Sequence, residues 1–69
     1  MAKKKSSLIE GTQYISFRKE LFIKFTSGEL YVYFDVPYSI NTEFKKAESL
    51  GRYFGEKIKH DYNYQRIEI

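Results

Sequence analysis

One stretch, residues 21–37, limits the fold of this chain more than any other. It reads LFIKFTSGELYVYFDVP, in which two runs of β-branched and aromatic residues flank a Ser27-Gly28 turn. Such residues suit a half-buried pleated surface, and glycine readily takes the positive φ that tight hairpin turns require. The stretch therefore predicts a β-hairpin that closes before Pro37, because proline has no N–H to give to a central ladder.

The length of the hairpin loop decides which tyrosines are buried, since a one-residue slip exchanges the two faces of a strand. A two-residue loop pairs Ile23 with Val32 and turns the neighbouring tyrosines outward. A longer loop with a bulge at the glycine pairs Ile23 with Tyr31 instead. We favour the bulged register because it produces one continuous core face. The residues of that face are Leu21, Ile23, Phe25, Tyr31 and Tyr33.

Alternating apolar residues predict the other strands. A first strand is expected over residues 12–19, with the two hairpin strands over 21–26 and 29–35, so that the three form an antiparallel meander. The alternation of Ile67 and Ile69 with charged residues allows a short fourth strand or a docked extended tail.

Helical spacing follows the hairpin and predicts two helices, over roughly residues 37–48 and 51–61. Ser49 is placed to cap the second helix, with Ser39 as a possible cap of the first. Gly55 falls inside the second helix, where glycine costs about 1 kcal/mol relative to alanine, so we expect it to approach the sheet or the other helix closely. The predicted fold is α+β: a three-stranded antiparallel β-meander followed by two short helices packed on one sheet face, with a possible short C-terminal strand.

Composition narrows the class of protein. The chain has 69 residues, no cysteine and one histidine, His60, which argues against disulfides and against metal sites built from cysteine or clustered histidine. No long apolar run or signal peptide is visible, so we expect a cytoplasmic protein without a membrane segment. We also expect no metal and no cofactor. Lys3, Lys4 and Lys5 account for the net charge of +3, because nine basic and nine acidic residues remain without them. We expect a disordered basic tail at residues 1–7.

Three motifs then follow one another in an order that resembles the KTSC domain family. They are F-x-S-G-x-x-Y-x-Y from Phe25, V-P at Val36 and A-E-S-x-G-R-Y-F from Ala47. The resemblance covers residues 13–66 and assigns 8–69 to a single KTSC-like domain, although Phe17 stands where the family often has tyrosine. The family is named for a segment at the C-terminus of some lysyl-tRNA synthetases, and it also occurs as short bacterial and phage proteins. The resemblance implies, by association, RNA binding and supplies no catalytic residues.

Aromatic side chains of this chain can either fill the core or stack on bases. In the favoured register Tyr31 and Tyr33 point inward and belong to the core. Tyr14, Tyr38 and Tyr64 are expected to be exposed. The predicted binding residues are Arg18, Lys24, Arg52, Tyr38, Tyr64 and Arg66.

Arg52 lies at the start of the second predicted helix, which is either a plain helix junction or an anion site at a helix N-terminus. No nucleophile or acid–base pair has a recognisable signature, so we expect no enzyme. Two partner classes remain. One is RNA or another single-stranded nucleic acid. The other is a larger protein, such as a host factor bound by a phage protein, or a second copy of the chain, because Tyr and Arg are enriched at protein interfaces.

Overall fold

Four antiparallel strands form one sheet in the order β1-β2-β3-β4 in this computed structural model, which describes residues 8–68. The strands are β1 (Ile9–Ile15), β2 (Glu20–Phe25), β3 (Leu30–Tyr33) and β4 (Tyr64–Ile67). Two short helices, α1 (Tyr38–Lys46) and α2 (Leu50–Tyr53), lie between β3 and β4, and α2 continues into a π-helical turn at Phe54–Ile58. The predicted α+β fold is confirmed, including a C-terminal strand. The predicted tail at residues 1–7 and the terminal Ile69 lie outside the described residues.

The bulged hairpin register is confirmed. Ile23 faces Tyr31, and Leu21 faces Tyr33. The loop is closed by the Phe25 N–H, which donates to the Glu29 carbonyl at 2.9 Å. The intervening loop has three residues and contains the glycine at a φ of 100°, which is the left-handed conformation that this loop class requires.

The boundaries of two predicted strands are wrong because two non-glycine residues adopt positive φ. The first strand begins at Ile9, which pairs with Phe25, and it ends at Ile15 because residues 16–19 form a turn in which Lys19 has a φ of 56°. The third strand stops at Tyr33, because Asp35 has a φ of 55° and turns the chain toward α1. Extended backbone cannot continue through a left-handed residue.

The helices are shorter than predicted. α1 begins at Tyr38 after an uncapped Pro37 and ends at Lys46, because Ala47 is extended, so Ser39 lies within the helix and does not cap it. The second helix gives way to the π-helical turn and ends at Ile58.

Two expectations for the second helical segment have opposite outcomes. Ser49 is confirmed as its N-cap, since its hydroxyl accepts from the Arg52 N–H at 3.2 Å. A Cβ added to Gly55 would meet no neighbouring atom within 4 Å, so the predicted close approach is wrong. This glycine faces solvent instead.

The helices pack on one face of the sheet, here called the inner face. Its core comprises Ile9, Leu21, Ile23, Phe25, Tyr33, Val36, Phe44, Phe54 and Ile58. The β4 end of the inner face is less covered, because Tyr64 remains 56% exposed there. Within residues 8–68, no helix is long and apolar enough to cross a membrane.

Candidate aromatic groove on the sheet

A groove of about 320 Å³ opens where the inner face reaches β3 and β4. Its floor is Tyr31, Tyr33 and Tyr64, its wall is Leu8, Phe25 and Phe54, and its rim is Ser27, Glu29, Lys59 and His60. Ten residues from the sheet, the helical segment and the adjoining loops therefore enclose one mainly aromatic depression with polar ends. This is the form that binding sites for flat organic groups commonly take.

Strand pairing creates the tyrosine floor. Tyr31 and Tyr33 alternate along β3, and Tyr64 of β4 lies directly opposite Tyr33. The ring centroids of Tyr33 and Tyr64 are 5.3 Å apart with planes 30° from parallel, and those of Tyr31 and Tyr64 are 5.6 Å apart. Exposure rises from 3% at Tyr33 to 56% at Tyr64. The cluster is therefore anchored in the core at one end and open to solvent at the other.

The wall is fixed by edge-to-face ring packing. Phe54, the first residue of the π-helical turn, lies 5.5 Å from the ring of Phe25 and 5.4 Å from that of Tyr33. Both pairs are close to perpendicular, a geometry that the ring quadrupoles favour. Because Phe54 is buried, its packing anchors the helical segment along the wall of the groove.

The most buried ring of the floor, that of Tyr33, carries an uncharged hydroxyl at neutral pH. Burial, together with the neighbouring Tyr64 and Tyr31 hydroxyls, raises the pKa of Tyr33 to about 12. Its hydroxyl is thus protonated and can donate a hydrogen bond.

Basic and acidic side chains surround the tyrosine floor. Lys59 and His60 follow the π-helical turn, while Arg66 pairs with Tyr31 in the β3–β4 register. The Arg66 Nη2 atom is 3.8 Å from Glu29 Oε2, and its Nε atom is 3.9 Å from Glu68 Oε2. These distances exceed those of hydrogen bonds, and exposed ion pairs of this kind contribute about 1 kcal/mol or less. Arg66 is therefore free to change partners.

The structure brings together two of the six predicted binding residues, Tyr64 and Arg66. Lys24 is exposed on the opposite sheet face, where its register partners are Gly11 and Leu30. The remaining three predicted residues lie elsewhere on the surface, namely Arg18, Tyr38 and Arg52. The predicted set therefore does not form one continuous patch.

Two of those predicted cations are already paired with glutamates. The Arg18 Nε atom lies 3.3 Å from Glu20 Oε1 in the β1–β2 turn. The Arg52 Nε atom lies 3.4 Å from Glu56 Oε2, one helical turn further along the chain. Both arginines are largely exposed, so the pairs reduce local positive charge without fixing the side chains.

The exposed state of Tyr38 and Tyr64 is confirmed, whereas that of Tyr14 is wrong. Tyr38 is 66% exposed. Tyr14 is half-buried, because its hydroxyl donates to the Val36 carbonyl at 2.6 Å and its ring packs 6.2 Å from that of Tyr38. Desolvation raises the pKa of Tyr14, and the neighbouring Tyr38 adds to the effect.

Of the ten residues that line the groove, only Tyr64 belongs to the predicted binding set. A usable signal existed for Glu29, because the bulged register places it on the same face as Tyr31. No local signal placed Lys59 and His60 near the sheet, since the return of the chain to β4 is a long-range feature. Among residues 8–68, no group of three His, Asp or Glu side chains is arranged to hold a metal ion.

Comparison with known proteins identifies relatives of this domain. A solved KTSC domain protein from Yersinia pestis matches with a TM-score of 0.87 and 31% identity, covering 97% of this chain and 94% of that one. Curated lysine–tRNA ligases from Trichormus variabilis and a Nostoc strain are 34% and 33% identical over 67 residues. That alignment covers 97% of this chain but only 12% of each ligase. The sequence profile of the KTSC domain matches residues 5–62. The chain therefore belongs to the KTSC domain family.

Proposed function

We propose that this small module is a non-catalytic RNA-binding domain whose aromatic groove stacks single-stranded bases. The observation that carries the proposal is the Tyr64 ring, which is more than half exposed yet held against Tyr33 and Tyr31 at the mouth of the groove. Some relatives with a matching segment are lysine–tRNA ligases, which are named for an RNA substrate. The likeness to those enzymes supports RNA as the partner class.

Stacking supplies the attraction in this proposal. A base that lies on an aromatic ring gains about 1–3 kcal/mol, whatever its identity. Tyr64 offers an open ring face, and Tyr31 is half-buried beside it. The two rings lie side by side on the inner face and together provide a continuous aromatic surface for an unpaired base.

Charge supplies the orientation. Lys59 and His60 lie on one side of the tyrosine floor, and Arg66 lies beside it on β4. A strand whose base enters the groove would bring its phosphates near these groups, which can donate hydrogen bonds to phosphate oxygens. Because residues 6–69 carry nine basic and nine acidic side chains, the positions of Lys59 and Arg66 matter more than the net charge.

Protein binding is a second candidate, favoured by one observation. Phe17 is 86% exposed in the turn between β1 and β2. The other phenylalanines among residues 8–68 are buried or half-buried. An exposed aromatic residue beside Arg18 has the composition of an interface anchor. Replacing Phe17 by serine should abolish binding to a protein partner and leave RNA binding in the groove unchanged.

The experiment compares two exposed tyrosines. Tyr64→Ala removes the stacking ring of the groove, whereas Tyr38→Ala removes a ring of similar exposure at the start of α1. Fluorescence anisotropy with a labelled single-stranded RNA should show affinity lower by about 5- to 150-fold for Tyr64→Ala, the loss of one stacked base. Tyr38→Ala should bind like the original chain. Equal affinities for Tyr64→Ala and the original chain would contradict the proposal.

A further inference from the structure

Glu29 is the one carboxylate among the described residues that line the aromatic groove. It lies two residues before Tyr31 on the inner face, so about 7 Å separates the two positions along the strand. A base stacked on the open side of the Tyr31–Tyr64 pair, whose ring centroids are 5.6 Å apart, can direct one edge toward Glu29. The edge that meets this carboxylate must carry hydrogen-bond donors, because an ionised carboxylate only accepts.

The carboxylate is loosely held. The Ser27 hydroxyl donates to Glu29 Oε1 at 3.4 Å, and Arg66 Nη2 lies 3.8 Å from Oε2. The side chain is 43% exposed. Both oxygens can therefore turn toward a ligand without losing a strong contact.

The four RNA bases differ in what they offer to a carboxylate. Guanine presents two adjacent donors, N1–H and the 2-amino group, which match the two carboxylate oxygens. Adenine and cytosine each place a ring-nitrogen acceptor beside their amino group, and uracil flanks its N3–H with two carbonyl oxygens. These acceptors repel a carboxylate, so guanine is the base that fits.

We infer that the groove selects guanine, with Glu29 accepting two hydrogen bonds from its Watson–Crick edge while the ring stacks on Tyr31 and Tyr64. This inference rests on the proposed RNA binding at the same groove. When Glu29 binds the base, Arg66 loses its partner and becomes available to a phosphate of the same strand. Recognition of the base and contact with the backbone are thereby linked.

The test uses the full chain and labelled RNA octamers of uridine that carry one central guanosine, adenosine, cytidine or inosine. The guanosine octamer should bind about 5- to 150-fold more tightly than the adenosine and cytidine octamers, the range expected for one bidentate contact. Inosine lacks the 2-amino group, so its octamer should lose most of this advantage. Glu29→Gln should bind all the octamers with similar affinity, because an amide offers one acceptor in place of two.

Glu29→Gln removes both the proposed base contact and a carboxylate close to Arg66, and a matched variant separates these two effects. Glu68→Gln also removes a carboxylate close to Arg66, but Glu68 does not line the groove. It should keep the guanosine preference. Equal binding of all four octamers by the original chain, or a preference that survives in Glu29→Gln, would overturn the inference while leaving RNA binding intact. Absence of saturable binding to every octamer would refute the proposed function itself, and the guanine preference with it.

Discussion

Replacing Gly28 and Gly55 by alanine, one at a time, should change the stability of the domain in opposite directions. A Cβ added at either position would meet no neighbouring atom within 4 Å, so backbone conformation alone decides the outcome. Gly28 has a φ of 100°, and a left-handed conformation costs an L-residue about 1–2 kcal/mol. Gly55 lies in the helical segment, where alanine is more favourable than glycine by about 1 kcal/mol.

These energies correspond to measurable shifts in melting temperature. In a domain of this size, 1 kcal/mol moves Tm by about 4–8 °C. Gly28→Ala should therefore lower Tm by about 4–16 °C, and Gly55→Ala should raise it by about 4–8 °C. Circular dichroism during heating gives Tm, and urea titration followed by tyrosine fluorescence gives the free energy of unfolding in a chain without tryptophan.

A third variant tests the cause. Gly28→Asn should lose less stability than Gly28→Ala, because asparagine visits the left-handed region more readily than other residues with a Cβ. A Gly28→Ala variant as stable as the original chain would refute the three-residue loop, and with it the register that places Tyr31 in the groove. A destabilised Gly55→Ala variant would contradict the solvent-facing position of that residue.

Two further predictions concern the core and a helix cap. The folded chain holds the Tyr33 proton more tightly than the unfolded chain, because burial raises its pKa from 10.0 to about 12. This pKa difference contributes roughly 2–3 kcal/mol to the free energy of unfolding. The contribution is fully present below about pH 10 and is lost as the pH rises to about 12. Tyr33→Phe should show a flatter fall of the urea midpoint over this interval, and an unchanged slope would argue against the raised pKa. Ser49→Ala should cost about 1 kcal/mol of unfolding free energy through loss of the cap, whereas Ser39→Ala, inside α1, should be nearly neutral; equal losses would contradict the capping role.

The hairpin register could be predicted from sequence because Gly28 suits a bulged loop, and that loop places Leu21 and Ile23 on the same face as Tyr31 and Tyr33. Strand ends could not, since they depend on positive φ at Lys19 and Asp35. The Lys19 carbonyl accepts from the Val36 N–H at 3.0 Å, a contact between segments far apart in sequence. Such contacts override local propensity.

The candidate site was also predictable only in part, because it depends on contacts between segments that are far apart in sequence. Tyr64 was expected to be exposed, as it is, and Tyr33 to be buried, as it is. Their contact depends on the pairing of β4 with β3. The chain reaches that pairing only after two intervening helices, and no local sequence pattern predicts it. The same reversal brings Lys59 and His60 to the rim of the groove. Sequence reasoning therefore found individual residues and could not place them together.

RNA binding by the folded domain is tested most directly by separating it from the lysines of the N-terminal segment. Labelled single-stranded RNA would be titrated with the original chain and with a chain in which Lys3, Lys4 and Lys5 are replaced by glutamine, at about 50 mM and about 200 mM salt. The groove account predicts saturable binding by both chains, weaker at the higher salt concentration, and loss of that binding when Tyr64→Ala is added. Binding that disappears with the three lysines would contradict the account and make a protein partner the leading candidate.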